Sequence, residues 1–260
     1  MNLLEAIILG IIQGLTEFLP VSSSGHLELG KYLFGVDAES SFAFSVAVHG
    51  ATVLSTLVVF RMEIMTLIRG TLKFRYNDET KYTLQILVSL IPVLIVGLFF
   101  KDQVEALFNG NIIFVGVMLM ITAAMLIGTY FLKDRKKEIG YADAFIIGIA
   151  QALAVIPGIS RSGATISTGI ILGNRRDNLA KFSFLMVLIP VIGINLLDLV
   201  KGEFTSSDSI AFSTLAAGFV AAFVTGFLAC RWMIEIVRKG KLIWFGIYCM
   251  AIGLLAVLIG

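Results

Sequence analysis

Long apolar runs, separated by short polar connections, extend through the whole 260-residue chain. A helix needs about 20 apolar residues to cross a hydrocarbon core roughly 30 Å thick, so each run of that length predicts a membrane-spanning helix. Six runs fit this description, at 41–60, 83–100, 111–132, 182–200, 210–230 and 242–259. The pattern therefore predicts an all-α integral membrane protein with six transmembrane helices.

Two further apolar stretches, 3–34 and 141–173, are interrupted near their middle by proline, glycine and serine. Because proline and glycine interrupt helices, each stretch predicts a re-entrant helical hairpin rather than a seventh or eighth crossing. The first stretch has no Lys or Arg before Lys31 and carries Glu5, which is unlike a secretory signal peptide. We expect it to remain part of the membrane domain.

The two hairpins are related by an internal repeat. Residues 6–25 align with 144–163 without a gap, and nine of the aligned positions are identical. The single membrane domain, 1–260, is therefore expected to contain one repeat at about 1–138 and a second at about 139–260. Because each repeat has a hairpin and three crossings, the second should be inverted relative to the first. Inverted repeats of this kind build a polar site near the membrane midplane from interrupted helices.

Composition and charge narrow the class of protein further. With 58% hydrophobic and 15% charged residues, the chain has too little polar surface for a water-soluble domain. The net charge is +2 and the basic residues are scattered over short connections, which excludes a nucleic-acid partner. Most of them fall at 61–81, 133–137, 175–181 and 231–241, which are expected in the cytoplasm, whereas Lys31, Lys101 and Lys201 are expected outside with both termini.

Ionisable residues at membrane depth occur in the hairpins, chiefly Glu17, His26 and Arg161. A charge inside a bilayer costs about 2.5–3.5 kcal/mol on insertion scales, so such residues are functional candidates. The alternative is that Glu17 and Arg161 form an ion pair that only holds the two hairpins together. Gln13 precedes Glu17 by four residues, so it shares a helix face with the carboxylate and is expected to orient it.

The two hairpin tips, at 20–25 and 157–163, are rich in hydroxyl groups, and each leads directly into a helix. Free backbone N–H groups and the positive end of the helix dipole make such a position an anion site. The alternative for each serine is a purely structural role as a helix N-cap. The predicted ligand-binding residues are Gln13, Ser22, Ser24, Gly25, Ser160, Ser162, Gly163 and Thr165.

Three residues that differ between the two repeats indicate different chemical roles for the two tips. The first repeat carries Glu17, Ser23 and His26, where the second has Val155, Arg161 and Ala164. The first set can transfer protons or attack phosphorus, whereas a guanidinium binds two phosphate oxygens at once. This combination predicts phosphoryl transfer. The attacking group is either Ser23, activated by His26 or Glu17, or a water activated by Glu17 or a bound metal.

The segments QGLTEFLPVSSSGH (13–26) and PGISRSGAT (157–165) resemble the two signature motifs of the bacterial undecaprenyl-diphosphate phosphatases, the bacitracin-resistance type. The resemblance covers nearly the whole chain. It implies hydrolysis of undecaprenyl diphosphate to undecaprenyl phosphate and inorganic phosphate, which recycles the carrier lipid for cell-wall synthesis. It also implies Glu17, Ser23, His26 and Arg161 as catalytic residues, and Mg²⁺ or Ca²⁺ as cofactor with Glu17 as a ligand. The expected location is the bacterial cytoplasmic (inner) membrane, with the site open to the extracytoplasmic face.

The sequence leaves three questions open, namely the class of function, the role of His49 and the role of Gly10 and Gly14. A transporter or flippase could use an inverted repeat to move a phosphate-bearing lipid, but the restriction of Glu17 and His26 to one repeat favours catalysis. His49, alone on an apolar helix, is expected to be a packing residue. Gly10 and Gly14 form a GxxxG pattern, which predicts close helix packing within the chain or, alternatively, a homodimer.

Overall fold

The computed structural model describes residues 1–34, 38–107, 110–133, 135–200 and 211–260, with side chains described outside 33–43, 105 and 194–200. Lys201, which the charge pattern assigns to the outside, lies beyond the described residues. The described part is helical throughout apart from turns and an isolated bridge between Lys137 and Asn174. Its α-helices are α1 (Leu3–Phe18), α2 (Ser23–Phe34), α3 (Ala38–Val59), α4 (Arg61–Thr71), α5 (Asp78–Phe99), α6 (Lys101–Glu105), α7 (Ile112–Gly128), α8 (Tyr141–Leu153), α9 (Arg161–Ile171), α10 (Arg176–Val200), α11 (Phe212–Arg238) and α12 (Ile243–Ile259).

Each predicted hairpin is a pair of helices that pack against one another, α1 with α2 and α8 with α9. Helix α1 begins at a capping box, in which Asn2 accepts from the Glu5 N–H and the Glu5 carboxylate accepts from the Asn2 N–H. It ends two residues before Pro20, which has no N–H to continue the helical ladder. The interruptions seen in the sequence are thus breaks between helices.

Each of the six predicted spans coincides with a helix. Three helical segments, Asp78–Phe99, Ile112–Phe131 and Phe212–Arg238, are long and apolar enough to cross a membrane among the described residues. A fourth is obtained if α3 and α4, which meet at a bend of 70°, count as one span. The described part of the chain is therefore helical and apolar, as expected of a multi-pass membrane protein, with three or four candidate crossings, and the full set of six stays a prediction.

The hairpin helices pack on long helices of the other half of the chain. Helix α1 of the first hairpin lies against α11, and α8 of the second hairpin lies against α5. Outside the hairpins, α7 lies against α12. Small residues allow these approaches: a Cβ at Gly14 would lie 2.5 Å from the Ala222 carbonyl oxygen, and one at Gly116 would lie 2.8 Å from that of Gly253. The GxxxG pattern therefore serves packing within the chain, which was the first of the two interpretations.

Helix α4 leaves the end of α3 at the 70° bend and runs beside α5. Its exposed apolar side chains Met62, Met65 and Ile68 fall three residues apart, and the exposed Leu72 follows directly after the helix ends. The same helix carries two basic residues, Arg61 and Arg69. Such a pattern is typical of an amphipathic helix at a membrane interface.

Candidate active site

The two hairpin tips are built in the same way, from a serine that caps the following helix. The hydroxyl of Ser22 accepts from the N–H of Gly25 at 3.3 Å, and that of Ser160 accepts from the N–H of Gly163 at 3.1 Å. The capping interpretation is therefore correct for these two serines, which are both buried. Ser22 adopts a φ of +69°, a left-handed conformation that costs about 1–3 kcal/mol for a residue other than glycine.

Contacts from α7 hold the second tip in place. The hydroxyl of Thr122 accepts from the N–H of Ser160 at 2.9 Å and donates to the carbonyl of Gly158 at 3.2 Å. Gly158 has a φ of +94° and no room for a side chain, because a Cβ would lie 2.6 Å from the Val115 carbonyl oxygen. The first tip approaches from the other side, since a Cβ at Gly25 would lie 3.2 Å from the Gly158 Cα. The tips are thus in direct contact.

The carboxylate of Glu17 joins the two tips. Arg161 donates from Nη2 to Oε1, Ser23 donates from Oγ to Oε2 at 2.7 Å, and Gln13 donates from Nε2 to Oε2 at 3.0 Å. Ser23 and Arg161 occupy aligned positions of the internal repeat, so both halves of the chain reach the same carboxylate. The side chains of Glu17 and Arg161 are only 11% and 18% exposed. A carboxylate, a hydroxyl and a guanidinium therefore lie together at the end of α1.

These side chains face a cavity of about 220 Å³. That volume is far larger than the about 10–15 Å³ that a single water requires. Its apolar wall comes from Val93 of α5 and from Val187, Pro190 and Val191 of α10. The predicted residues in its wall are Glu17, Ser22, Ser23, Ser24, Ser160, Arg161 and Ser162. The cavity wall thus combines hydroxyl, carboxylate and cationic groups with apolar surface.

Several buried polar atoms around this cavity have no hydrogen-bond partner in the described part of the chain. They are Nη1 of Arg161, Oε1 of Gln13, and both amide atoms of Gln151. Buried polar groups in proteins are paired in the great majority of cases, so an unpaired group needs an explanation. Two of these unpaired atoms, Nη1 of Arg161 and Nε2 of Gln151, are N–H donors, which could donate to a ligand with oxygen acceptors.

His26 and Thr165 lie apart from this group. The Nδ1 of His26 contacts the Ser22 carbonyl oxygen at 2.8 Å, and its Nε2 contacts the Tyr248 hydroxyl at 2.9 Å, with the two rings stacked. The Thr165 hydroxyl donates to the carbonyl of Arg161 at 2.9 Å and contacts the Ser183 hydroxyl at 2.7 Å. Both side chains are engaged by partners other than Ser23 and Glu17.

Three polar residues of the cavity wall are absent from the predicted site, namely Thr16, His49 and Gln151. The Nδ1 of His49 contacts the carbonyl of Ser45 at 2.8 Å, so Nδ1 carries the proton and Nε2 does not when the ring is neutral. His49 therefore makes a bond within its own helix, as a packing residue would, and also lies in the cavity wall. Gln151 had a signal in the sequence, because it aligns with Gln13. His49 had none beyond its being an ionisable residue inside an apolar helix.

The protein side chains alone do not fit a resident metal ion. Among the described residues, no group of three or more His, Cys, Asp or Glu side chains lies close enough to hold one. Glu17 is the carboxylate in the described cavity wall, and its oxygens are already bonded to Arg161, Ser23 and Gln13. Mg²⁺ and Ca²⁺ prefer several free oxygen ligands, which this arrangement does not supply.

Comparisons with known proteins cover essentially the full chain. Residues 6–255 match the family model described as bacitracin resistance protein BacA. Proteins named undecaprenyl-diphosphatase are similar over nearly all of both chains: one from Parabacteroides distasonis is 57% identical over 99% of this chain and 98% of its own. One from Bacteroides fragilis is 55% identical over 100% and 98%. One from Methanococcus vannielii is 41% identical over 98% and 99%.

Proposed function

The chain belongs to the bacitracin resistance protein BacA family, and on that premise we propose that it hydrolyses undecaprenyl diphosphate to undecaprenyl phosphate and inorganic phosphate. This reaction recycles the carrier lipid for cell-wall synthesis. The observation that carries the proposal is the meeting of Glu17, Ser23 and Arg161 beside one cavity. An anionic headgroup would bind the hydroxyl and guanidinium groups of that cavity.

Ser23 is the proposed nucleophile, with Glu17 as its base. The Ser23 hydroxyl already donates to Oε2 of Glu17 at 2.7 Å, within the range expected for a nucleophile and its general base. As Oγ bonds to the terminal phosphorus, its proton passes to Glu17 and the anhydride P–O bond breaks, which releases undecaprenyl phosphate. A water oxygen then bonds to the phosphorus of the phosphoserine and the Oγ–P bond breaks. Oγ takes back the proton held by Glu17, and both water protons leave with inorganic phosphate, which restores Ser23 and Glu17.

Arg161 is proposed to stabilise the transferring phosphoryl group. Its Nη2 holds Glu17 and its Nη1 is unpaired, so the guanidinium has a donor for a phosphate oxygen. Charge spreads over the phosphoryl oxygens in the transition state, and a fixed donor aimed at them lowers the barrier. The remaining donors at the tips, from Ser24 and Ser162, are proposed to bind the same headgroup.

Water is the alternative nucleophile, with Glu17 as the group that activates it. His26 was the second proposed base, but its two ring nitrogens contact the Ser22 carbonyl and the Tyr248 hydroxyl. For His26 to serve Ser23, its ring would have to leave Tyr248. Glu17 is therefore the better-placed base for either nucleophile.

The proposed arrangement in the membrane is six crossings and two re-entrant hairpins in an inverted repeat. The reciprocal packing of α1 on α11 and of α8 on α5 supports it, because two helices at equivalent places each rest on the other half of the chain. We propose that the protein lies in the bacterial cytoplasmic membrane with the cavity open to the extracytoplasmic face, as the family resemblance implies. The basic residues support the assignment of their connections to the cytoplasm. A homodimer would need a face other than Gly10 and Gly14, which pack inside the chain.

A divalent cation is proposed to arrive with the substrate rather than to reside in the protein. Mg²⁺ is commonly held by substrate phosphates together with one or two carboxylates. It would neutralise part of the diphosphate charge. Ser23, Glu17 and Arg161 keep the roles assigned above, but without the cation more of the diphosphate charge is left unneutralised, so phosphate release should be slower.

The direct test is release of inorganic phosphate from undecaprenyl diphosphate by the purified protein in detergent. The wild-type chain should release one phosphate per lipid and leave undecaprenyl phosphate. Glu17→Gln should release none at a temperature where it is still folded, although it should unfold earlier than wild type because the buried Arg161 loses its carboxylate. A folded wild-type protein that releases no phosphate, yet moves a fluorescent diphosphate lipid across vesicle membranes, would instead support the flippase alternative.

A further inference from the structure

Gln151 is a buried glutamine at the cavity that has no assigned task. It lies on α8, its side chain is 3% exposed, and it forms part of the cavity wall with Glu17, Ser23 and Arg161. Neither its Nε2 nor its Oε1 has a hydrogen-bond partner among the described residues. An amide in this condition destabilises the fold, because water bonded to both atoms in the unfolded chain.

The internal repeat explains why this amide is unpaired. Gln13, at the aligned position, donates to Oε2 of Glu17, which lies four residues further along α1. Four residues after Gln151 the second repeat has Val155, which offers no acceptor. The glutamine at this position therefore has a carboxylate partner in the first repeat and none in the second, where it lies in the cavity wall.

Nearby, Arg161 has a similar unpaired donor. Its Nη1 is buried without a partner in the described part of the chain, and it lines the same cavity. Gln151 and Arg161 both belong to the second repeat, the first near the end of α8 and the second at the start of α9. Two unpaired N–H donors that flank one cavity would suit a ligand with several oxygen acceptors and no donors of its own.

We propose that Gln151 is a substrate-binding residue, whose Nε2 donates a hydrogen bond to an oxygen of the lipid diphosphate when Arg161 binds a neighbouring oxygen. The inference rests on the proposed function, because that function supplies the diphosphate. A neutral amide adds a donor without adding charge, so it selects for the position of the diphosphate rather than for its net charge. In this arrangement Gln13 orients the carboxylate of Glu17, which is the base, and Gln151 positions the diphosphate of the substrate.

The proposal makes stability and binding change in opposite directions. Gln151→Met keeps the size of the side chain and removes an unpaired amide, so thermal stability should stay equal or rise. Affinity for the diphosphate should fall roughly 10- to 100-fold, because a hydrogen bond to a charged oxygen is lost. Gln151→Glu should lose more, since a carboxylate has no donor and repels the anion.

Gln85 supplies a matched control on α5. It is also buried, at 4% exposure, but its Nε2 donates to the carbonyl of Ile139 at 2.6 Å, away from the described cavity wall. Gln85→Met should therefore lower the unfolding temperature, because it leaves that carbonyl unpaired. Its affinity for the diphosphate, measured well below the unfolding temperature, should stay within about twofold of wild type.

The experiment measures three quantities on purified wild type, Gln151→Met, Gln151→Glu and Gln85→Met. These are the unfolding temperature, binding of a non-hydrolysable prenyl methylenediphosphonate, and KM and kcat for phosphate release. We expect Gln151→Met to weaken binding and to raise KM by roughly tenfold or more without loss of stability. Wild-type binding by Gln151→Met would overturn the inference, and so would a joint loss of stability and binding that matches Gln85→Met. Because binding is measured without turnover, a protein that binds through Gln151 but does not hydrolyse would contradict the proposed function alone.

Discussion

Replacement of Arg161 by lysine separates the charge of the guanidinium from its geometry. The guanidinium donates to Glu17 through Nη2 and has a second, unpaired nitrogen, Nη1, beside the cavity. A lysine ammonium keeps the positive charge and can pair with Glu17, but it is a point charge and does not present two nitrogens in a fixed plane. Arg161→Lys should therefore fold and still lose most of its activity.

The expected loss follows from the contacts of Arg161. If lysine stays on Glu17, the phosphoryl group loses one hydrogen bond between charged partners, which contributes about 1.5–3 kcal/mol. At 1.36 kcal/mol per factor of ten, kcat/KM should fall by roughly 10- to 150-fold. Arg161→Gln should behave differently, because it leaves the buried carboxylate of Glu17 without a cation, which typically destabilises a protein by about 3–5 kcal/mol.

The assay is phosphate release from undecaprenyl diphosphate, with thermal unfolding followed on the same preparations. Arg161→Lys should unfold within a few degrees of wild type, whereas Arg161→Gln should unfold clearly earlier. A lysine variant with kcat/KM within about threefold of wild type would refute the planar clamp. Charge alone would then account for the contribution of Arg161.

The remaining predictions concern the nucleophile, the cation and the topology. Ser23→Ala should lower turnover far more than tenfold while substrate still binds, whereas Ser24→Ala should lower it modestly. A Ser23→Ala protein that keeps a tenth of the wild-type rate would have lost about 1.4 kcal/mol or less, and would make water the nucleophile. A chelator should slow phosphate release, with recovery on addition of Mg²⁺ or Ca²⁺, and an unchanged rate would show that the expected cofactor is wrong. Because both native cysteines are buried, an impermeant thiol reagent should label Lys101→Cys in intact cells but not Lys73→Cys or Lys239→Cys, and the reverse pattern would invert the topology.

The helices and their breaks were accessible from the sequence, because they depend on local properties. Hydrophobic run length places the helices, and proline, glycine and serine place the breaks. The hairpin at 3–34 is the pair α1 and α2, and the one at 141–173 is the pair α8 and α9, close to the predicted limits. The predicted identity of the family is confirmed by the full-length similarity to bacitracin resistance proteins. Both motifs are continuous in the chain, which is why they could be read directly.

The sequence predicts the pairing of Glu17 with Arg161 only as an alternative to a functional site, and the structure shows this pair beside Ser23. The contact joins residues 144 positions apart, and Ser23 donates to the other oxygen of the same carboxylate. Aligned positions in a repeat indicate equivalence but not contact. Only the packing of one half of the chain on the other brings Ser23 and Arg161 to one group.

The direction in which side chains point was decided by the tertiary structure. His26 was expected beside Ser23, but its ring stacks on Tyr248, which lies 222 residues away in the chain. His49 and Gln151 were not predicted site residues, yet both reach the cavity wall. Hydropathy and motif spacing are properties of neighbours along the chain, so they determine which helices form and which residues they carry. The face that each helix turns toward the cavity depends instead on the close packing of α1, α3, α5, α8 and α10, which the chain sets only when it is folded.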